Sequence, residues 1–91
     1  MAEFMMLMKS TGPTGDWESY IQKLIATGCF RGGSALGNGI CVNKSGGELA
    51  CVVTGFMRLE VDDIDGARAL LPGNPVYESG GAVELLEIVE D

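Results

Sequence analysis

Histidine is absent from this chain. That removes the commonest general base and the commonest metal ligand, and with them any Ser-His or Cys-His nucleophile. Positive charge is scarce: 6 Lys and Arg stand against 13 Asp and Glu, for a net charge of −7. A phosphate backbone or an anionic membrane surface needs clustered Lys and Arg, so neither nucleic acid nor membrane is expected as a partner. The 3 cysteines, Cys29, Cys41 and Cys51, form no Cys-x-x-Cys pair. This leaves neither a disulfide framework nor a zinc site, and it predicts free thiols in a cytoplasmic protein. No apolar run approaches the ~18 residues of a membrane span. The opening Met1-Ala2-Glu3-Phe4-Met5-Met6-Leu7-Met8-Lys9 carries an acid where a secretory leader needs a base, so none is expected. Without a leader, the sequon at Asn43-Lys44-Ser45 carries no weight.

What remains is ordinary globular material. The chain has 91 residues, 46% hydrophobic and 21% charged. That suits a single domain over residues 1–91 and excludes a disordered acidic tail. A domain of this size buries a modest core, so association with a second copy is expected.

Residues 3–9 read as a strand, followed by a loop from Ser10 to Gly15. Asp16 is placed to cap a helix. Trp17, Tyr20, Ile21, Leu24 and Ile25 recur at helical spacing on one face, and Gly28 ends the run. Gly32 to Gly39 reads as a glycine-rich connection. Ile40-Cys41-Val42 reads as a short strand and Asn43 to Gly47 as a turn or hairpin tip. Phe56 to Val61 alternates, with Met57, Leu59 and Val61 on one side. Asp62, Asp63 and Asp65 suit the positive end of a second helix, whose buried side is Ile64, Ala67, Leu70 and Leu71. Pro72-Gly73 stops it, and Ala82 to Val89 is a last strand. This order predicts an α+β, ferredoxin-like βαββαβ sandwich: a four-stranded antiparallel sheet with two helices on one face. The strands are apolar in runs such as Met5-Met6-Leu7 and Leu85-Leu86. Both sheet faces are therefore expected to be buried, the second against another copy of the chain.

The chemistry-bearing residues are few. The glycines at 32–39 lack the lysine of a phosphate-binding loop, and Val42 stands where a dinucleotide motif needs glycine, so they are read as turn residues. Cys41 and Cys51 are expected as small buried hydrophobes. The aspartates at 62–65 are read as helix caps, not metal ligands, and the methionines as core filling. No cofactor is expected. Trp17 and Tyr20, neighbours on one helix face, can line a pocket, and Arg31 just beyond the helix can pair a ligand carboxylate.

Three stretches carry a resemblance. Val53-Thr54-Gly55-Phe56-Met57-Arg58-Leu59-Glu60-Val61 runs into Asp62-Asp63-Ile64-Asp65-Gly66-Ala67. Asn74-Pro75-Val76-Tyr77 precedes Gly80-Gly81-Ala82-Val83-Glu84-Leu85. In the front half, Phe4 to Met8 and a helix with Trp17 lead to Gly28-Cys29-Phe30-Arg31-Gly32-Gly33-Ser34-Ala35-Leu36-Gly37. Together they resemble the YCII-related family over nearly the whole chain. The resemblance implies a ferredoxin-like subunit whose sheets pair face to face as a dimeric α+β barrel. Some members of that family pair a histidine in the first helix with an aspartate of an Asp-Pro pair after the second helix, as an acid–base dyad. Those positions correspond here to Trp17 and Asn74, neither of which titrates, so the dyad chemistry cannot run and no catalytic residue is assigned. The Asp-Gly-Pro-Phe motif of another branch is absent as well. The expected function is a non-catalytic or weakly catalytic small-molecule-binding or regulatory module. The alternative is a cofactor-independent lyase, isomerase or oxygenase of the dimeric barrel type. Candidate ligand-binding residues are Trp17, Tyr20, Arg31, Ser34 and Asn74, with Trp17 expected to plug the old dyad pocket.

Overall fold

The computed structural model describes residues 2–9, 15–50 and 52–89, with backbone alone at 48–50. The chain runs β1 (Ala2–Lys9), α1 (Trp17–Thr27), β2 (Phe30–Ala35), β3 (Ile40–Asn43), β4 (Gly47–Ala50), β5 (Val53–Val61), α2 (Ile64–Arg68), α3 (Pro75–Glu78) and β6 (Ala82–Ile88). It is an α+β fold. Four strands form an antiparallel sheet in the order β2-β5-β1-β6, and β3 and β4 form a separate hairpin.

The apolar run of β1 puts it at the sheet centre, paired on both edges. Pleating sends Phe4, Met6 and Met8 to one face, where they join Met57, Leu59 and Val61 of β5. All the helices cover this face. Tyr20 and Leu24 of α1 and Val76 of α3 pack on Met6, Met8, Met57 and Leu59, and Ala67 of α2 packs on Phe4 and Val61. The core is thus a single layer between one sheet face and a helical cover. Among the described residues no helix is long and apolar enough to cross a membrane.

Helix α1 begins and ends where its caps dictate. The Asp16 carboxylate accepts from Ser19 N at 3.0 Å and from Ser19 Oγ at 2.6 Å. These bonds hold the carboxyl below the usual aspartate range. Gly28 closes the helix at φ 76°, a conformation that favours glycine, and donates its N–H to Ile25 O.

Several expectations are corrected. The glycine-rich stretch read as a connection contributes to β2, an edge strand that crosses Gly32 and Gly33. Its bulge lies between Phe30 and Gly33. A side chain at Gly33 would press on the Phe56 carbonyl and come within 2.9 Å of Met57 Cα, so glycine lets the two strands close. The second helix is shorter than expected, ending at Arg68, and a further short helix, α3, was not expected. Asp63 starts α2 by accepting from Gly66 N at 2.9 Å, and α3 starts afresh after Pro72-Gly73. Ile25 and Ile64, expected inside, are 58% and 52% exposed. α1 meets the sheet along the line of Tyr20 and Leu24, and Ile25 lies one residue past it. Cys41, expected to be buried, is exposed because β3 pairs with β4 and not with the main sheet. Cys51 lies outside the described residues.

The sheet face away from the helices is uncovered within the chain. Met5 lies beside Arg58 and Leu86 there, and Leu7 beside Phe56 and Glu84. This apolar strip is flanked by ion pairs between Glu3 and Arg58, Arg31 and Glu60, and Lys9 and Glu84. The molecule is a slab only 18 Å thick, with a radius of gyration of 14.0 Å. A compact chain of this length is expected nearer ~12 Å.

Candidate functional site

At the β2 end of the slab the helical cover lifts away from the sheet. The sheet positions facing α1 and α3 change here from large to small. Along β5 the sequence toward the helices is Val61, Leu59, Met57 and then Gly55, and along β2 it is Phe30, Gly33 and Ala35. Gly55 lies opposite Ala35, so no side chain rises from the floor to meet the helix above. The resulting cavity has a volume of about 370 Å³. Trp17 and Ile21 of α1 and Val76 of α3 form its roof and wall, and Met8, Phe30 and Met57 its sides.

The candidate residues separate on this geometry. Trp17 and Ser34 border the cavity. Trp17 is half-buried and meets Tyr20 edge-on, ring centres 6.1 Å apart. It is a wall of open space, not the plug expected from the sequence. Ser34 pairs with Phe56, across the pleat from Met57, and its hydroxyl donates to Ala35 O at 2.8 Å. What it turns toward the cavity is backbone.

Tyr20 and Asn74 lie in the core and do not line the cavity. Tyr20 is 3% exposed and Asn74 is fully buried. The Tyr20 hydroxyl donates to Leu70 O at 2.7 Å, with Met6 Sδ at 3.7 Å. Burial pushes this phenol above its ordinary 10.0, and hydrogen bonding with Asn74 partly opposes that. Asn74 Oδ1 accepts from Val76 N at 3.0 Å and Tyr77 N at 3.1 Å, capping α3. Both polar side chains are spent on tying the loop before α3 to the sheet. Tyr20 meets Trp17 edge-on and hydrogen-bonds with Asn74, and of these three Trp17 alone borders the cavity.

Arg31 is engaged elsewhere. Its guanidinium holds Glu60 Oε2 at 2.9 Å and donates to Gly28 O at 2.9 Å and Phe30 O at 3.1 Å. It does not line the cavity, and among the described residues no other charged side chain does. A second, shallower depression, bordered by Asp16, Tyr20, Lys23 and Glu78, is already bridged. Lys23 Nζ donates to Pro72 O at 3.1 Å, and Glu78 accepts from Gly73 N at 2.9 Å.

Sequence reasoning missed Met8, Ile21, Phe30, Met57 and Val76 as cavity residues, because apolar residues at regular spacing read as core. The available signal lay opposite them, in the coincidence of Gly33, Ala35 and Gly55 on neighbouring strands. A comparison of the chain with protein-family models, with curated proteins and with solved structures finds no match to any of them.

Proposed function

We propose that this protein is a small-molecule-binding or regulatory module of the YCII-related kind, acting without catalysis or with little of it. The observation that carries this reading is the cavity of about 370 Å³ between α1 and the β2–β5 end of the sheet, which falls in the size range of ligand sites. Its lining is Met, Trp, Ile, Phe and Val, with small residues beneath, and it offers an apolar ligand a preformed place. A cofactor-independent enzyme would need a proton-transfer group at that place. Among the described residues the lining holds no carboxylate, thiol or amine, so binding is the better-supported reading.

The subunit is proposed to be ferredoxin-like, which the order β2-β5-β1-β6 and the one-sided helical cover support. It is further proposed to pair through the uncovered sheet face as a homodimer. The strip of Met5, Leu7, Phe56 and Leu86, with its rim of ion pairs, and the 18 Å thickness support this. Such a pair is expected to bury on the order of 1,600 Å² in total. Light scattering at micromolar concentration is expected to give twice 9.6 kDa, and a mass near 9.6 kDa would sink the dimer. For binding, a fragment library is screened by thermal shift against wild type and Ala35→Phe, which fills the cavity. Fragments at a hundred times their Kd stabilise by about 2.7 kcal/mol. Shifts seen in wild type and lost in Ala35→Phe are expected; a screen with none refutes the binding reading.

A further inference from the structure

Resting on that reading of the cavity, we infer that its ligand is an uncharged, compact ring compound, and that carboxylates and ammonium ions are excluded. The first argument is the environment. Trp17, Phe30, Met8, Met57, Ile21 and Val76 surround the space, and among the described residues no charged side chain lines it. An ion moved into such a lining loses its hydration and gains no partner. The second is that Arg31 is turned away from the space. It follows the lining residue Phe30, and its side chain lies on the other side of the strand, bound to Glu60 and to two backbone carbonyls. The third is the floor. Gly33, Ala35 and Gly55 remove the side chains that elsewhere fill the gap between sheet and helix, so a ligand takes the place of a missing core residue. At the interior packing density of about 0.74, the space holds on the order of fifteen heavy atoms. The thioethers of Met8 and Met57 adapt to ring edges, and the Trp17 indole supplies a flat wall.

Three congeners of one shape test this: adamantan-1-ol, adamantane-1-carboxylate and adamantan-1-ammonium. None absorbs where tryptophan does, and Trp17 is the chain's only tryptophan, so its emission reports directly on the cavity. Calorimetry supplies the affinities, and methyl-labelled methionine locates the ligand by NMR. The alcohol is expected to blue-shift Trp17 emission and move the Met8 and Met57 methyl signals. It should bind about a hundredfold tighter than the carboxylate and at least about tenfold tighter than the ammonium ion. A charged congener that binds as tightly as the alcohol, moving the same methyl signals, overturns the inference while leaving the binding module standing. Binding that leaves both methyl signals unmoved overturns it too, as it places the ligand elsewhere. Failure of all three congeners overturns the inference. Whether the binding reading falls with it is decided by the fragment screen against Ala35→Phe.

Discussion

Asn74→Ala is the substitution with the largest consequence that the structure predicts for a single small side chain. Asn74 is fully buried, and its Oδ1 is the acceptor for Val76 N and Tyr77 N. Replacing an N-cap asparagine by alanine costs about 1 kcal/mol in an ordinary helix. Here the Val76 amide is buried, and leaving a buried donor orphaned costs a further ~1–3 kcal/mol. The expected loss is therefore about 2–4 kcal/mol. For a domain of this size each kcal/mol moves Tm by roughly 4–8 °C, so the midpoint should fall by about 8–32 °C. Paired urea and thermal melts measure it. Asn74→Ser keeps a short acceptor in the cap position and should recover part of the loss. A cost below about 1 kcal/mol for Asn74→Ala, or equal costs for alanine and serine, would refute the view that this amide holds α3 to the core.

Other perturbations have equally definite outcomes. Trp17→Ala should cost about 1–2 kcal/mol by urea denaturation, well short of the ~3–5 of a fully buried aromatic, because Trp17 is half-buried beside open space. Tyr20→Phe tests the raised phenol: burial lifts its folded pKa above 10.0, so the stability it contributes is complete below that pH and is lost as pH rises through the folded value. Wild type should therefore lose stability more steeply than Tyr20→Phe between neutral pH and pH 11, and parallel curves would contradict the assignment. Gly33→Ala should cost more than about 2 kcal/mol, since the added carbon meets backbone at Met57 Cα, 2.9 Å away. Hydrogen exchange should show β2 amides opening first in that variant, and unchanged protection would count against the close approach.

The elements legible in the sequence are those whose side-chain period matches their burial. β1, α1, β5 and β6 were read within a residue or three of their ends, because Phe4, Met6 and Met8, or Tyr20 and Leu24, recur at the spacing of the face they bury. β2 was not legible. Phe-Arg-Gly-Gly-Ser-Ala has no alternation to read, and it is extended because β5 offers it an edge to pair with. α3 was hidden for a related reason. Four residues after the Pro72-Gly73 stop carry no period to read, yet Asn74 faces inward and starts another turn of helix. Of the candidate site, Trp17 was accessible from its position on the helix. The cavity itself was not, because it arises from side chains that are missing on two strands far apart in the chain.

The central place of β1 has a consequence for how the sheet can assemble. Its partners are residues 53–61 on one edge and 82–88 on the other, so both of its ladders join distant parts of the chain. Closing loops of that length precedes any gain from pairing, and chains dominated by such pairings fold slowly for their size. The β3–β4 hairpin is the opposite case, as its strands are joined by Lys44-Ser45-Gly46 and can meet within microseconds. A chain emerging from the ribosome therefore carries the hairpin early. It keeps the apolar Phe4-Met5-Met6-Leu7-Met8 run without its β6 ladder until residues 82–88 are made. During that interval one edge of the methionine-rich β1 stays open. Its capture by a chaperone, or by the same segment of another nascent chain, competes with the formation of the sheet.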